Sequence, residues 1–153
     1  SLKNFTGIQR RMTKVFNLGN KEFFDDYAHH PTEISSVLKS LKVTSNSRKI
    51  ISVFQPHRYS RIKLLKKDFA LSFKDSDLVL LCPVYSAGEK LDKTYNEIEF
   101  AKLISRQSKV QVVLVKDQYE LKKFFIKNLY KDEIIICMGA GSISKWIREM
   151  VLN

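Results

Sequence analysis

Two stretches hold most of the side chains able to do chemistry. Asp25 to Glu33 reads DDYAHHPTE, and Phe54 to Arg61 reads FQPHRYSR. The first groups Asp26, Tyr27, His29 and His30 just ahead of Pro31. A carboxylate beside imidazoles suits proton transfer or hydrogen-bonded recognition near neutral pH. Part of the stretch has a plainer reading. Proline fits the first helical turn, where its missing N–H would have had no partner, and Thr32 and Glu33 fit the positive end of a helix dipole. For the histidines, a structural and a site reading both stand. The second stretch places His57, Arg58 and Arg61 where a strand gives way to a helix. Guanidinium groups grip carboxylate or phosphate through paired hydrogen bonds, and a helix start adds N–H donors. An anion site is the natural inference, although arginines near helix starts are also ordinary surface residues.

Two more polar clusters follow apolar runs: PVYSAGE (Pro83–Glu89) and MGAGSIS (Met138–Ser144). GAGS resembles the start of a dinucleotide fingerprint, but Ser144 stands where the third glycine belongs, and the motif follows the last strand rather than the first. Gly139 and Gly141 read more simply as permitting a tight turn and close helix packing.

The elements that must position these clusters are legible in the apolar pattern. RKIISVFQ (Arg48–Gln55), DLVLLC (Asp77–Cys82), VQVVLV (Val110–Val115) and EIIICM (Glu133–Met138) are short, β-branched and nearly continuous in hydrophobicity. Strands covered on both faces look like this. Between them, Ile34, Val37, Leu38 and Leu41 make one helical stripe. Ile62, Leu65 and Phe69 make another after Ser60, a good N-cap residue. Asp117 and Glu120 have capping-box spacing ahead of Leu121, Phe124 and Phe125. Ile143, Trp146, Ile147, Met150 and Val151 form a final stripe, and a less regular helix lies between Thr94 and Ser105. At the front, a hairpin turn is expected at Leu18-Gly19-Asn20-Lys21. The expectation is one α/β domain over residues 1–153. It is a Rossmann-like, mainly parallel sheet of about six strands with helices on both faces. Such sheets bind ligands beyond the carboxyl ends of their strands, and all four polar clusters fall there.

Composition narrows the partners. Lys and Arg number 27 against 16 Asp and Glu, a net charge of +11, which favours phosphates, nucleotides or acidic neighbours. The lysines are scattered, which reads as a solvated face, and no dense basic run or basic–aromatic RNA motif is present. No apolar run approaches the ~20 residues needed to cross a bilayer. Cys82 and Cys137 lie far apart without CxxC spacing, so they are expected buried and reduced, in a cytoplasmic protein with no metal site of its own. The opening SLKNFTG reads as a cut inside a longer protein.

FTGIQRR, DDYAHHPTEI, FQPHRYSR, VYSAGE and GAGSIS, in this order, resemble the C-terminal domain of the UDP-N-acetylmuramate–L-alanine ligases, a branch of the Mur ligase family. The resemblance runs from about Phe5 to the C-terminus. One small departure is Met12, where many members carry phenylalanine. The resemblance implies an ATP- and Mg2+-dependent amide-forming ligase of peptidoglycan precursor synthesis. ATP would activate the muramic acid carboxylate as an acyl phosphate, which the amine of L-alanine attacks. It implies that Arg11 and Asp26 lie near the nucleotide, with Asp26 accepting from ribose hydroxyls. His29, His57 and Arg58 would be catalytic, and Tyr27 and Arg61 substrate-binding. His30 would be a helix-start residue. No GxxxxGK[ST] phosphate loop is present, so ATP and Mg2+ would be held mainly by a central domain that this sequence lacks. The isolated chain is expected to fold without ligating. The rival reading is a non-catalytic basic module for nucleotide or nucleic acid, and a Rossmann oxidoreductase comes second. The reading adopted involves neither nucleic acid nor membrane.

Overall fold

In the computed structural model, residues 11–150 and 152 are described. The first two strands, β1 (Thr13–Leu18) and β2 (Lys21–Asp26), form an antiparallel hairpin. Its turn needs a left-handed residue, and Gly19 supplies φ +61°. There follow α1 (Pro31–Thr44), β3 (Ile50–Phe54), α2 (Tyr59–Ala70), β4 (Leu78–Leu81), α3 (Glu97–Ser108), β5 (Gln111–Leu114), α4 (Gln118–Asn128), β6 (Ile134–Met138) and α5 (Ile143–Glu149). The sheet order is β1-β2-β6-β3-β4-β5, and every pairing except β1–β2 is parallel. The last strand in sequence therefore lies between β2 and β3.

The continuous hydrophobic strands are explained by two cores, one on each face of the sheet. Successive residues of β3 alternate between them. Ile50 and Phe54 join the cluster that holds Leu38 of α1, Phe69 of α2 and Phe100 of α3. Ile51 and Val53 join the one that holds Leu121, Phe125 and Ile147 of α4 and α5. Strand β6 does the same with Ile136 and Cys137. The period-2 geometry of a strand allows both cores to be fed from one sequence. Phe54, Leu38 and Phe125 are almost fully buried, each stabilising by about 1.5–3 kcal/mol. Both cysteines are buried thiols.

Two expectations need correction. VQVVLV was expected to be covered on both faces, but β5 is an edge strand, with Gln111 and Leu114 exposed and Val112 and Val113 half-buried. Ser60 does not cap α2. The helix begins at Tyr59 with Arg58 as its N-cap, and it kinks at Leu65 (φ −117°, ψ 24°). Gly139 and Gly141 permit close packing, as expected: a β-carbon on Gly139 would lie 2.9 Å from the Ile143 side chain of α5. The Asp117 cap of α4 is as expected, accepting from the Glu120 N–H at 2.9 Å. In the final stripe Ile143 and Ile147 are buried; Val151, like residues 5–10, lies outside the described residues.

Candidate functional site

The carboxyl ends of β2, β6, β3 and β4 are neighbours, so their following loops meet at one end of the sheet. In the β2 loop, most of DDYAHHPTE is absorbed locally. The Asp25 carboxylate is buried and accepts from Ser144 Oγ at 2.6 Å and from Arg148 Nη2 at 3.0 Å, tying β2 to α5. Asp26 folds back on the chain. Its Oδ2 accepts the Met12 N–H and its Oδ1 the Ala28 N–H, both at 2.8 Å. His30 is the N-cap of α1 and Pro31 its first residue. Glu33 Oε1 accepts the N–H groups of His30 (3.1 Å) and His29 (3.3 Å), closing the helix start. Tyr27 and His29 remain as the side chains whose rings face other loops.

Those rings begin a row that crosses the strand ends. Ring centroids lie 5.0 Å apart for Tyr27–His29, 5.7 Å for His29–His57 and 5.7 Å for His57–Tyr85. Tyr27 and Tyr85 are the exposed ends of the row. The hydrogen bonds of the two histidines fix different tautomers. Arg61 Nη1 lies 3.0 Å from His57 Nδ1; because arginine only donates, Nδ1 accepts and the ring proton sits on Nε2. His29 Nδ1 lies 2.9 Å from the Tyr27 carbonyl oxygen, so it must donate, and the neutral ring keeps a lone pair on Nε2. Burial, then the charges of Arg61, His29 and Arg58, hold the His57 imidazole below its usual range, with Glu89 opposing. His57 is therefore neutral at pH 7. The Arg58 side chain is exposed and has no hydrogen-bond or ion-pair partner among the described residues.

Beside this row is a cavity of about 250 Å³ lined by Arg11, Asp26, Tyr27, Thr32, Glu33 and Val37. Burial raises the Asp26 carboxyl above its usual range, against the N–H groups of Ala28 and Met12 and the charge of Arg11. Each oxygen of Asp26 already accepts one N–H and retains a second lone pair. No three His, Cys, Asp or Glu side chains gather as metal ligands among the described residues.

All seven residues singled out from the sequence thus fall on one end of the sheet. Arg11, Asp26 and Tyr27 line the cavity; Tyr27, His29 and His57 stand in the ring row, Arg61 bonds His57, and Arg58 is the exposed neighbour of His57. At the helix N-terminus the Ser60 N–H already donates to Glu89 Oε1 at 3.3 Å. Gln55, Tyr85 and Glu89 drew no role from the sequence. Gln55 bridges two loops, donating to Ser142 Oγ at 2.8 Å and accepting the Ile143 N–H at 3.0 Å. A β-carbon on Gly141 would lie 2.7 Å from Tyr85 Cδ1, so this glycine lets the β6 turn sit against the Tyr85 ring. Their position at carboxyl ends of strands was the signal that could have marked them.

Residues 10–141 match the family described as Mur ligase, glutamate ligase domain. The UDP-N-acetylmuramate–L-alanine ligase of Pelagibacter ubique is 48% identical over 149 residues, covering 97% of this chain and 32% of that protein. The enzyme of the same name from Rickettsia rickettsii is 37% identical over 150 residues, covering 96% and 31%. Among solved structures, the UDP-N-acetylmuramate–alanine ligase MurC of Thermotoga maritima aligns with a TM-score of 0.67 at 28% identity, over 91% of this chain and 28% of that one. A murein peptide ligase of Psychrobacter arcticus, at 18% identity and a TM-score of 0.69, shares the fold over 94% of this chain and 31% of its own. The chain spans about a third of the length of the curated relatives it matches. It belongs to the Mur ligase family, as a glutamate ligase domain.

Proposed function

We propose that this chain is the C-terminal domain of a cytoplasmic, ATP-dependent ligase that joins L-alanine to UDP-N-acetylmuramate through an acyl phosphate. The observation that carries this reading is the neutral His57 held by Arg61 beside His29 and the exposed Arg58. The curated relatives bearing that enzyme's name support it. The arrangement suits an amino acid meeting an activated carboxyl group. Arg58 attracts the α-carboxylate of L-alanine or the charge growing on the acyl phosphate. His29 Nε2 takes the proton the amine must lose, the C–N bond forms, and phosphate leaves with the electron pair of the broken C–O bond. Tyr27 and the His57 ring bound the space for a small side chain, and Arg61 fixes the His57 tautomer.

Arg11 and Asp26 serve the nucleotide. Their cavity, of about 250 Å³, has room for a ribose, and the second lone pairs of Asp26 fit ribose hydroxyls. The roles read for the residues of this domain do not include holding Mg2+. The UDP-sugar, the ATP phosphates and Mg2+ fall to the rest of the ligase, and the domain acts by closing over them.

The test restores the upstream domains and measures L-alanine-dependent phosphate release. Arg11→Ala, Arg58→Ala and Asp26→Asn should each lower it strongly. Asparagine keeps an acceptor for only one of the two backbone N–H groups that Asp26 holds, so urea unfolding of this variant separates lost ligand contact from lost stability. Release indifferent to L-alanine, or unchanged in all three variants, would defeat the reading. So would amide synthesis by the purified chain alone.

A further inference from the structure

The loop between β4 and α3 does something the ligase reading leaves unexplained. Arg58 adopts φ +71° and ψ 132°, a conformation that residues bearing a β-carbon rarely hold unless their surroundings force it. As the N-cap of α2, its side chain cannot accept the N–H groups of the first turn. The loop supplies what is missing. The Arg58 N–H donates to the Tyr85 carbonyl, and the Tyr85 N–H donates to the Pro56 carbonyl, both at 2.8 Å. Ala87 (φ +51°) and Gly88 (φ +89°) then turn the chain back toward α2. There Glu89 Oε1 accepts the Ser60 N–H at 3.3 Å, and Oε2 accepts the Ser60 hydroxyl. The Ser60 hydroxyl, then the N–H groups of Ser60 and Tyr59 and the charge of Arg58, hold the Glu89 carboxyl below its usual range.

We propose that Glu89 is a positioning residue: a helix cap delivered from the β4–α3 loop, it holds the Arg58 turn in its left-handed conformation and so presents the Arg58 guanidinium to substrate. The inference rests on the ligase reading for the substrate but not for the clamp. With the Ser60 N–H already taken by Glu89, anion recognition here falls chiefly to the guanidinium groups.

Two measurements test it. In this chain, Glu89→Ala should speed amide exchange at Arg58 and Ser60 by about tenfold or more, while β3 amides stay protected. Glu89→Gln, which keeps a carbonyl acceptor for the Ser60 N–H, should fall between. Unchanged exchange at both amides would overturn the proposal. In the full-length ligase, Glu89→Ala should lower kcat/KM for L-alanine by about tenfold and leave KM for ATP unchanged. Added to Arg58→Ala, it should cause no further loss, because it acts through that side chain. Multiplicative losses would assign Glu89 a merely structural role. A lowered KM for L-alanine would mark a carboxylate competing with substrate for Arg58, and would also overturn the proposal. If the wild-type ligase ignored L-alanine, the function proposed above would fall, and the exchange measurement would still decide the clamp.

Discussion

Gly141→Ala probes how tightly the site is built. The added β-carbon would lie 2.7 Å from Tyr85 Cδ1 and 2.8 Å from Tyr85 Cβ, and closer still to Cγ. Carbon pairs rest at about 3.5–4.0 Å, so the overlap approaches 1 Å. Rotating the half-exposed Tyr85 ring about χ1 moves Cδ1 but not Cβ. Tyr85 Cβ is fixed by a backbone that hydrogen-bonds to Pro56 and Arg58, each at 2.8 Å. The loop itself has to give way, which costs about 1–3 kcal/mol. For a chain of this size that is a fall of about 2–4 °C in Tm for each kcal/mol. Urea unfolding at constant m gives the loss, and the His57 ring protons, stacked on Tyr85, give its location. Gly19→Ala is the control. Nothing lies within 4 Å of its added carbon, so only the left-handed φ costs stability, about 1 kcal/mol, and the His57 signals stay put. If Gly141→Ala unfolded at the wild-type urea concentration with unmoved His57 signals, the contact argument would be wrong.

Other consequences are simpler to read. Asp26→Ala orphans the Met12 and Ala28 N–H groups and should lower stability by about 1–3 kcal/mol in urea titration. The folded pKa of His57 lies below its ordinary 6.5, so the unfolded chain binds more protons just below that pH. Its contribution to stability is complete above pH 6.5 and is lost as pH falls through the folded value; His57→Gln should flatten that slope. Burial pushes the Cys82 thiol up to about 12 and raises Cys137 as well. Neither should react with a disulfide reagent at pH 8 until the chain is unfolded.

The sheet was legible because its central strands feed two cores at once. That leaves uninterrupted apolar runs such as Ile134–Met138, which no helix-period or alternating pattern imitates. The same signal misled at Val110–Val115, since an apolar run says nothing about whether a strand has one neighbour or two. Ser60 shows a second limit. It satisfies the local rule for an N-cap, yet its hydroxyl donates to Glu89, which a turn through Ala87 and Gly88 brings in from a distant part of the chain. Local capping rules compare nearby residues and cannot register a competitor that arrives through the fold.

The site was legible for a related reason. His29 and His57 were placed together because both follow strands, and carboxyl ends of parallel strands share one side of a sheet. What could not be read was the neighbour order. Strand β6 inserts between β2 and β3, so the loops bearing His29 and His57 flank the turn after the last strand. That turn carries Gly139, whose N–H donates to the Asp26 carbonyl at 3.3 Å, and Gly141, which admits the Tyr85 ring. The two histidines are thus spaced by glycines that bear no functional group. The glycines of GAGS act through what they lack, leaving no β-carbon between two loops that approach each other.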